Sequence, residues 1–162
     1  MASSSLSAAM PARSMTIGVV AGLRSQLPLA LLTHAMEGQP PGFASSSMPA
    51  FLRSPLTRRI ATVAAIGELI GDKLPMTPSR LAPGPLLGRL LFGGLAGAMI
   101  ADQTHDALAA GALLGVTGAL LGAFAGYHLR SSLGQVTPLP DPMIAVLEDV
   151  VAVSAGLRAV SP

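Results

Sequence analysis

Long apolar stretches alternate along this chain with short stretches rich in proline, glycine or charge. Five apolar segments can be marked, at positions 15–36, 60–70, 86–101, 107–129 and 142–157. The fourth contains no charged residue between Asp106 and Arg130. Because a helix rises about 1.5 Å per residue, a segment of this length spans roughly 30 Å, the thickness of the hydrocarbon core of a bilayer. We therefore predict that it crosses a membrane.

The first two segments depart from a regular span. The first, at 15–36, is interrupted by Gly22, Arg24 and Pro28, a pattern that predicts a kink or a break in its middle. The second, at 60–70, is short for a full span, so a re-entrant segment is the alternative.

The segments together predict an all-α fold, a polytopic membrane helix bundle of about four to five short segments rich in Gly and Ala, at least one of them broken or re-entrant. Residues 14–162 are expected to form a single membrane domain behind a disordered tail at 1–13, which is rich in Ser and Ala. Basic residues in the loop that holds Lys73 and Arg80, and at Arg130, favour a cytoplasmic position for both loops.

Composition supports the membrane prediction. Hydrophobic residues make up 51% of the chain and charged residues only 11%, and the mean hydropathy is +0.61. So few charges cannot cover a water-soluble surface. The basic residues are scattered between apolar segments and form no patch that could follow phosphates, so we expect no nucleic-acid partner.

No sequence pattern indicates a cofactor, a metal or an enzyme. The chain has no cysteine, and the glycines form no Walker, Rossmann or GxSxG pattern. Asp102, His105 and Asp106 are explained more simply as the polar residues of a short solvated hairpin than as metal ligands. We therefore expect no metal site and no cofactor.

Glycines recur along one face of the fourth segment. At roughly 100° per residue they fall within an arc of about 80°, and they are Gly111, Gly115, Gly118, Gly122 and Gly126. Gly93 and Gly97 form a matching pair on the third segment. Because glycine lets helix backbones approach closely in lipid, we expect this face to pack against another helix, and it also offers a surface for a homo-oligomer.

Charged residues inside the apolar segments are the candidates for a functional site. Glu68 and Asp72 are spaced four positions apart in IGELIGDKLP and so share a helix face. An ionisable group among apolar residues of a membrane segment must be paired, neutralised by a proton or hydrated, and it is a functional candidate for that reason. The substrate- or ion-binding candidates are Glu68, Asp72, Lys73, Arg24, Arg89, Glu148 and Asp149.

Two interpretations of these charges remain open. In the first, Glu68 pairs with Arg89 and the charges only hold the bundle together. In the second, they bind a substrate, an ion or a proton. The pattern AGLRxxxP occurs at 21–28 and again at 155–162, which favours two related halves around a central site, although a chain this rich in Ala, Gly and Leu also produces such a match by chance.

The stretch GELIGDKLPMTPSR at 67–80, followed by a helical hairpin ending in GAFAGYHLR and then by LEDVVAV, resembles the bacterial membrane protein family called domain of unknown function 4126. The resemblance extends over about residues 15–160. It implies a multi-pass protein of the bacterial inner membrane with several helices and no assigned activity. It also marks signature positions at Glu68, Asp72, Lys73 and Pro75.

The favoured function is transport or permeation of a small solute or ion. In this hypothesis Glu68 and Asp72 are the carboxylates that couple transport to an ion or bind the substrate. Arg24 and Arg89 are their countercharges. Glu148 and Asp149 form a second acidic site. The alternative is a structural or assembly subunit without transport activity, and an intramembrane enzyme is the least favoured. The expected partners are the lipid bilayer and a second copy of the chain, and the substrate is unknown.

Overall fold

The computed structural model describes residues 2–37, 48–72, 79 and 81–161, and the regular elements in these ranges are all helical. The all-α prediction is therefore confirmed for the described part of the chain. A short 3-10 turn at Ala50–Arg53 precedes the third helix. The helices are α1 (Ala2–Leu23), α2 (Leu27–Ala35), α3 (Pro55–Gly71), α4 (Pro83–Gln103), α5 (Leu108–Val136) and α6 (Asp141–Val160).

The first apolar segment is broken, as predicted. Helix α1 ends at Leu23, α2 begins at Leu27, and Arg24 lies in the non-helical link between them. Pro28 occupies the first turn of α2, where its missing N–H costs no helical hydrogen bond. The proline thus begins a new helix after the break.

The first helix starts well before the apolar segment at 15–36, inside the stretch 1–13 for which we expected a tail. Helix α1 already begins at Ala2. Met10 and Ser14 are buried against the bundle. Packing of these two residues extends the helix well before the apolar segment.

Two helices, α4 and α5, are by length and composition able to cross a membrane within the described residues. Helix α5 has 29 residues, a length of about 43 Å at the ordinary helical rise. It therefore exceeds the predicted segment at its C-terminal end.

Helix α5 packs along α1 and α4 through its glycine face. A Cβ placed on Gly111 would collide with the carbonyl oxygen of Gly97, and one on Gly118 with that of Met15. Helix α4 lies on one side of this face and α1 on the other. The face on which we expected a second copy to pack is thus occupied by helices of the same chain.

Helices α2, α3 and α6 pack around this core of three helices. Ala30 of α2 packs against Ala61 and Ala65 of α3, and Val20 of α1 packs with Ala152 of α6. This arrangement brings the C-terminal end of α3, the break between α1 and α2, the start of α4 and the middle of α6 to one level of the bundle.

Candidate functional site

Arg24 is the centre of a buried ionic cluster, with no exposed surface on its side chain. Its Nε donates to Oδ1 of Asp149 at 2.6 Å, and its Nη1 donates to Oδ2 of Asp72, also at 2.6 Å. Asp72 follows α3 directly and Asp149 lies in α6. The side chain at the helix break therefore ties two other helices together.

One nitrogen of Arg24 has no hydrogen bond to the described residues. This atom, Nη2, is buried and lies 3.8 Å from Oε2 of Glu148. That separation is too long for a hydrogen bond but retains strong attraction in buried surroundings. Glu148 is thus placed as a second carboxylate for the same guanidinium.

Arg89 stabilises the end of α1. Its buried guanidinium donates through Nη1 to the carbonyl oxygens of Gly22 at 3.0 Å and Leu23 at 2.8 Å. The last carbonyls of a helix have no helical partner and carry its negative dipole end, so a cation there is favourable. Arg89 Nη2 also lies 3.8 Å from Oε1 of Glu68 and 4.0 Å from Oδ2 of Asp72.

Glu68 binds the start of α2 from a different helix. Its Oε1 accepts hydrogen bonds from both N and Oγ of Ser25 at 2.8 Å, and its Oε2 accepts one from N of Gln26 at 2.8 Å. These amides are among the donors that a helix start leaves without a helical partner. Both carboxylate oxygens are therefore engaged in holding α2 in place.

The two acidic pairs of the sequence form one site. We expected Glu148 and Asp149 as a second acidic site, but both lie against Arg24, which also binds Asp72. The reason is that α6 runs antiparallel to α1 and brings its middle to the level of the helix break. Lys73, the remaining candidate, lies outside the described residues.

Arg130 lies at the edge of this cluster, whereas the sequence predicted only a loop position for it. Its Nε and Nη2 donate to the two carboxylate oxygens of Asp141 at 2.9 Å and 2.5 Å, a bidentate pair. Its Nη1 lies 4.0 Å from Oε2 of Glu148. The sequence contains one indication of this pair: Arg130 and Asp141 have opposite charges and lie on either side of the α5–α6 turn.

The carboxylates lie nearer the surface than the cations that they bind. The side chains of Glu68, Asp72, Glu148 and Asp149 retain 11–15% of their exposure, against 0% for Arg24 and 6% for Arg89. No three acidic or histidine side chains among the described residues converge as metal ligands. The carboxylates are therefore the part of the cluster that is nearest to solvent.

A cavity of about 340 Å³ lies beside the cluster, between α1, α5 and α6. Its walls are apolar, with Val19, Leu23 and Leu147 among them, and its polar lining comes from Glu148 and Arg130. A small, largely apolar molecule in this space would have its polar end next to these two residues.

The hairpin between α4 and α5 is less solvated than we expected. Asp102 is 1% exposed, and its Oδ2 lies 3.5 Å from Nη2 of Arg53. His105 has a positive φ of 58°, which the tight turn requires and which a histidine tolerates better than a branched residue. Asp102 thus pairs with the turn before α3.

The two AGLR copies are not equivalent in the structure. Arg24 is buried in the link after α1, whereas Arg158 is exposed in the last turn of α6. The fold places only the first copy in the ionic cluster. No protein-family model, curated protein or solved structure matches this chain, so its resemblance to the domain of unknown function 4126 stays a prediction.

Proposed function

We propose that this chain is a multi-pass protein of the bacterial inner membrane that transports a small solute in exchange for, or together with, a proton. The observation that carries the proposal is the position of Arg24. Its fully buried guanidinium lies at a helix break, 2.6 Å from one carboxylate of α6 and 2.6 Å from another at the end of α3.

The surface of the bundle supports a membrane location. Besides the two helices able to span a bilayer, α3 and α6 expose large apolar side chains, among them Ile60, Val63, Ile70, Val150 and Val151. Soluble monomers rarely expose apolar patches of this extent, whereas lipid covers them favourably. The bundle of four to five spans and the bacterial inner membrane are part of this proposal, and the family resemblance favours both.

Proton uptake by the cluster supplies a switch. A proton on Asp149 removes the charge that holds Arg24 and leaves its guanidinium with Asp72 and the nearby Glu148. A proton on Asp72 has the opposite effect and releases the end of α3. Because a buried cation must keep an anionic partner, a proton on Asp149 shifts Arg24 toward Asp72 and leaves Glu148 as its partner in α6, whereas a proton on Asp72 leaves Arg24 with α6 alone.

The cavity beside Glu148 supplies the space for the solute. Glu148 lines this cavity and also lies 3.8 Å from Arg24. The same side chain would therefore contact the solute and attract the Arg24 guanidinium. Its apolar walls favour a small molecule with a hydrophobic part. The polar part would lie against Glu148 and Arg130.

A structural or assembly role is the second candidate, and Glu68 favours it. The three hydrogen bonds of Glu68 end on Ser25 and Gln26, and Arg89 donates to the carbonyls of α1. These contacts hold helix ends in place, and they occupy both carboxylate oxygens of Glu68, which are then not available to bind a substrate. If Asp72 and Asp149 are as immobile, the cluster only fixes the bundle.

Cysteine accessibility separates the two candidates, since the chain has no cysteine of its own. Single cysteines are introduced as Glu148→Cys, which faces the cavity, and as Ala152→Cys, which is buried one turn further along α6. In native membranes, a membrane-impermeant thiol reagent is expected to label position 148 from one side and to leave position 152 unlabelled. If position 148 is labelled from neither side, the transport proposal is contradicted and the structural role is favoured.

Proton movement provides the second test. The full chain is reconstituted in liposomes that contain a pH-sensitive dye, and small amphipathic solutes are added outside one at a time. An active solute is expected to change the internal pH with the wild type and with Arg59→Gln, an exposed arginine outside the cluster. The change is expected to disappear with Glu148→Gln. A response that persists with Glu148→Gln contradicts the proposed role of this residue.

A further inference from the structure

Two arginines outside the ionic cluster share a groove between α1 and α6. Arg13 of α1 and Arg158 of α6 line this groove, and the hydroxyl-bearing side chains of Thr16 and Ser154 lie beside them. Arg13 and Thr16 are three positions apart, and Ser154 and Arg158 are four apart, so each pair lies on one helix face. The groove has a volume of about 580 Å³.

Neither arginine has an anionic partner among the described residues. Arg13 donates from Nε to the carbonyl oxygen of Ala159 at 2.8 Å, which fixes the guanidinium and leaves its two Nη groups for other acceptors. Arg158 is exposed and has no ion pair with a described carboxylate. Two positive charges thus line one groove without a compensating negative charge from the described chain.

The floor between these charges is apolar. It consists of small and branched side chains, Ala12, Val150, Val151 and Ala155. A free, fully hydrated anion gains nothing from such a floor. An anion that carries a hydrocarbon chain buries apolar surface there at the same time as it binds the arginines.

The groove lies toward the end of the bundle opposite the ionic cluster. Arg13 and Arg24 are eleven positions apart in sequence, which corresponds to roughly 16 Å along the axis of α1. Since this distance is about half the thickness of the hydrocarbon core, Arg13 lies near the headgroups of one face if the cluster lies near the middle of the bilayer. This step rests on the membrane location in the proposed function and needs no transport activity.

We propose that this groove binds the phosphate of an anionic phospholipid. The guanidiniums of Arg13 and Arg158 donate to the phosphate oxygens, the hydroxyls of Thr16 and Ser154 donate beside them, and the glycerol and first acyl carbons lie on the apolar floor. Two arginines against one phosphate leave an excess positive charge. A zwitterionic headgroup would add an amine to that excess, so an anionic headgroup binds better.

Native mass spectrometry of the full chain in detergent tests the proposal. The protein is mixed with equal amounts of phosphatidylglycerol and phosphatidylcholine that carry the same acyl chains. We expect the wild type to retain phosphatidylglycerol in preference. Arg158→Gln is expected to lower that preference about fivefold, the effect of roughly 1 kcal/mol per basic residue at an anionic surface. Arg13→Gln is expected to act similarly.

Two controls sharpen the measurement. Arg59→Gln removes an exposed arginine of α3 outside the groove and is expected to keep the wild-type preference. Arg158 is exposed and has no ion pair with a described carboxylate, so Arg158→Gln remains informative even if Arg13→Gln reduces the yield. Inorganic phosphate is added in a separate arm to distinguish a free anion from a lipid.

Four results would overturn the proposal. One is equal retention of the two lipids by the wild type. The second is an unchanged preference in Arg158→Gln, and the third is an equal loss of preference in Arg59→Gln. The fourth is displacement of phosphatidylglycerol by inorganic phosphate at the same concentration, since this would make the groove a site for free phosphate. None of these results bears on the role of Glu148, which the labelling experiment tests separately.

Discussion

Nε of Arg24 and Oδ1 of Asp149 lie 2.6 Å apart across 125 positions of sequence. This contact joins the break between the first two helices to the middle of the last one. A second oxygen, Oδ2 of Asp72, lies at the same distance from Nη1 of the same side chain. The stability of the bundle and its proposed switch therefore depend on one guanidinium.

Removal of this guanidinium is expected to destabilise the protein strongly. Arg24→Gln leaves Asp72 and Asp149 without their closest cation, and breaking a buried ion pair in this way costs about 3 to 5 kcal/mol. Thermal unfolding of the purified protein in detergent measures the loss, with Arg59→Gln as the control. Equal melting temperatures for Arg24→Gln and the wild type would show that the cluster contributes little to stability.

Replacement of Glu68 by Gln is expected to weaken the attachment of α2. The new amide group presents N–H where Ser25 or Gln26 already donates, so at least one hydrogen bond at the helix start is lost. Loss of a helix cap costs about 1 kcal/mol. We expect a lower melting temperature and less protein in the membrane. Any transport defect should then follow the amount of protein, and a defect at normal abundance would instead give Glu68 a direct role in transport.

The glycine face of α5 is expected to tolerate no added side chain. A methyl group at Gly115 would collide with the carbonyl oxygen of Gly93, whereas one at Gly134 would meet nothing within 4 Å. Gly115→Ala should therefore lower the melting temperature. Gly134→Ala on the same helix should raise it slightly, because alanine is the better helix former by up to about 1 kcal/mol. Similar effects of the two changes would contradict the packing of α5 against α4.

Loss of the Asp149 charge is expected to loosen the helix break. A single cysteine introduced as Gln26→Cys keeps the backbone N–H that Glu68 binds and reports whether the break becomes accessible. Asp149→Asn removes the charge of the α6 carboxylate that lies 2.6 Å from Arg24, so labelling at position 26 should increase relative to an exposed reference, Ser131→Cys.

The same pair of cysteines in an Arg59→Gln background provides the control. This change removes an exposed charge outside the cluster, so relative labelling at position 26 should keep its wild-type value. An unchanged ratio of the two labelling rates in Asp149→Asn as well would argue for a rigid cluster and for the structural role.

Local features of the sequence predicted the helix break and the shared face of the acidic pair. Arg24 and Pro28 cannot continue a regular apolar helix, and the spacing of Glu68 and Asp72 fixes their common side. These properties depend only on residues within one or two turns, so a single sequence contains them.

Contacts between distant helices were not predictable in the same way. The union of Glu148 and Asp149 with Asp72 requires the antiparallel course of α6 along α1, which no local spacing encodes. The burial of Asp102 likewise depends on Arg53, which lies before another helix. Charge alone marked these residues as unusual, but the partner of each charge is set by tertiary packing.

The glycine contacts of α5 also limit where movement can occur. At the glycine positions, helices α1, α4 and α5 touch through backbone atoms, so these contacts leave little room for the helices to slide past one another. The three helices form a rigid core. Movement that exposes Arg24 to alternate sides of a membrane is therefore expected in α2 and α3, with its pivot at the three residues between Leu23 and Leu27.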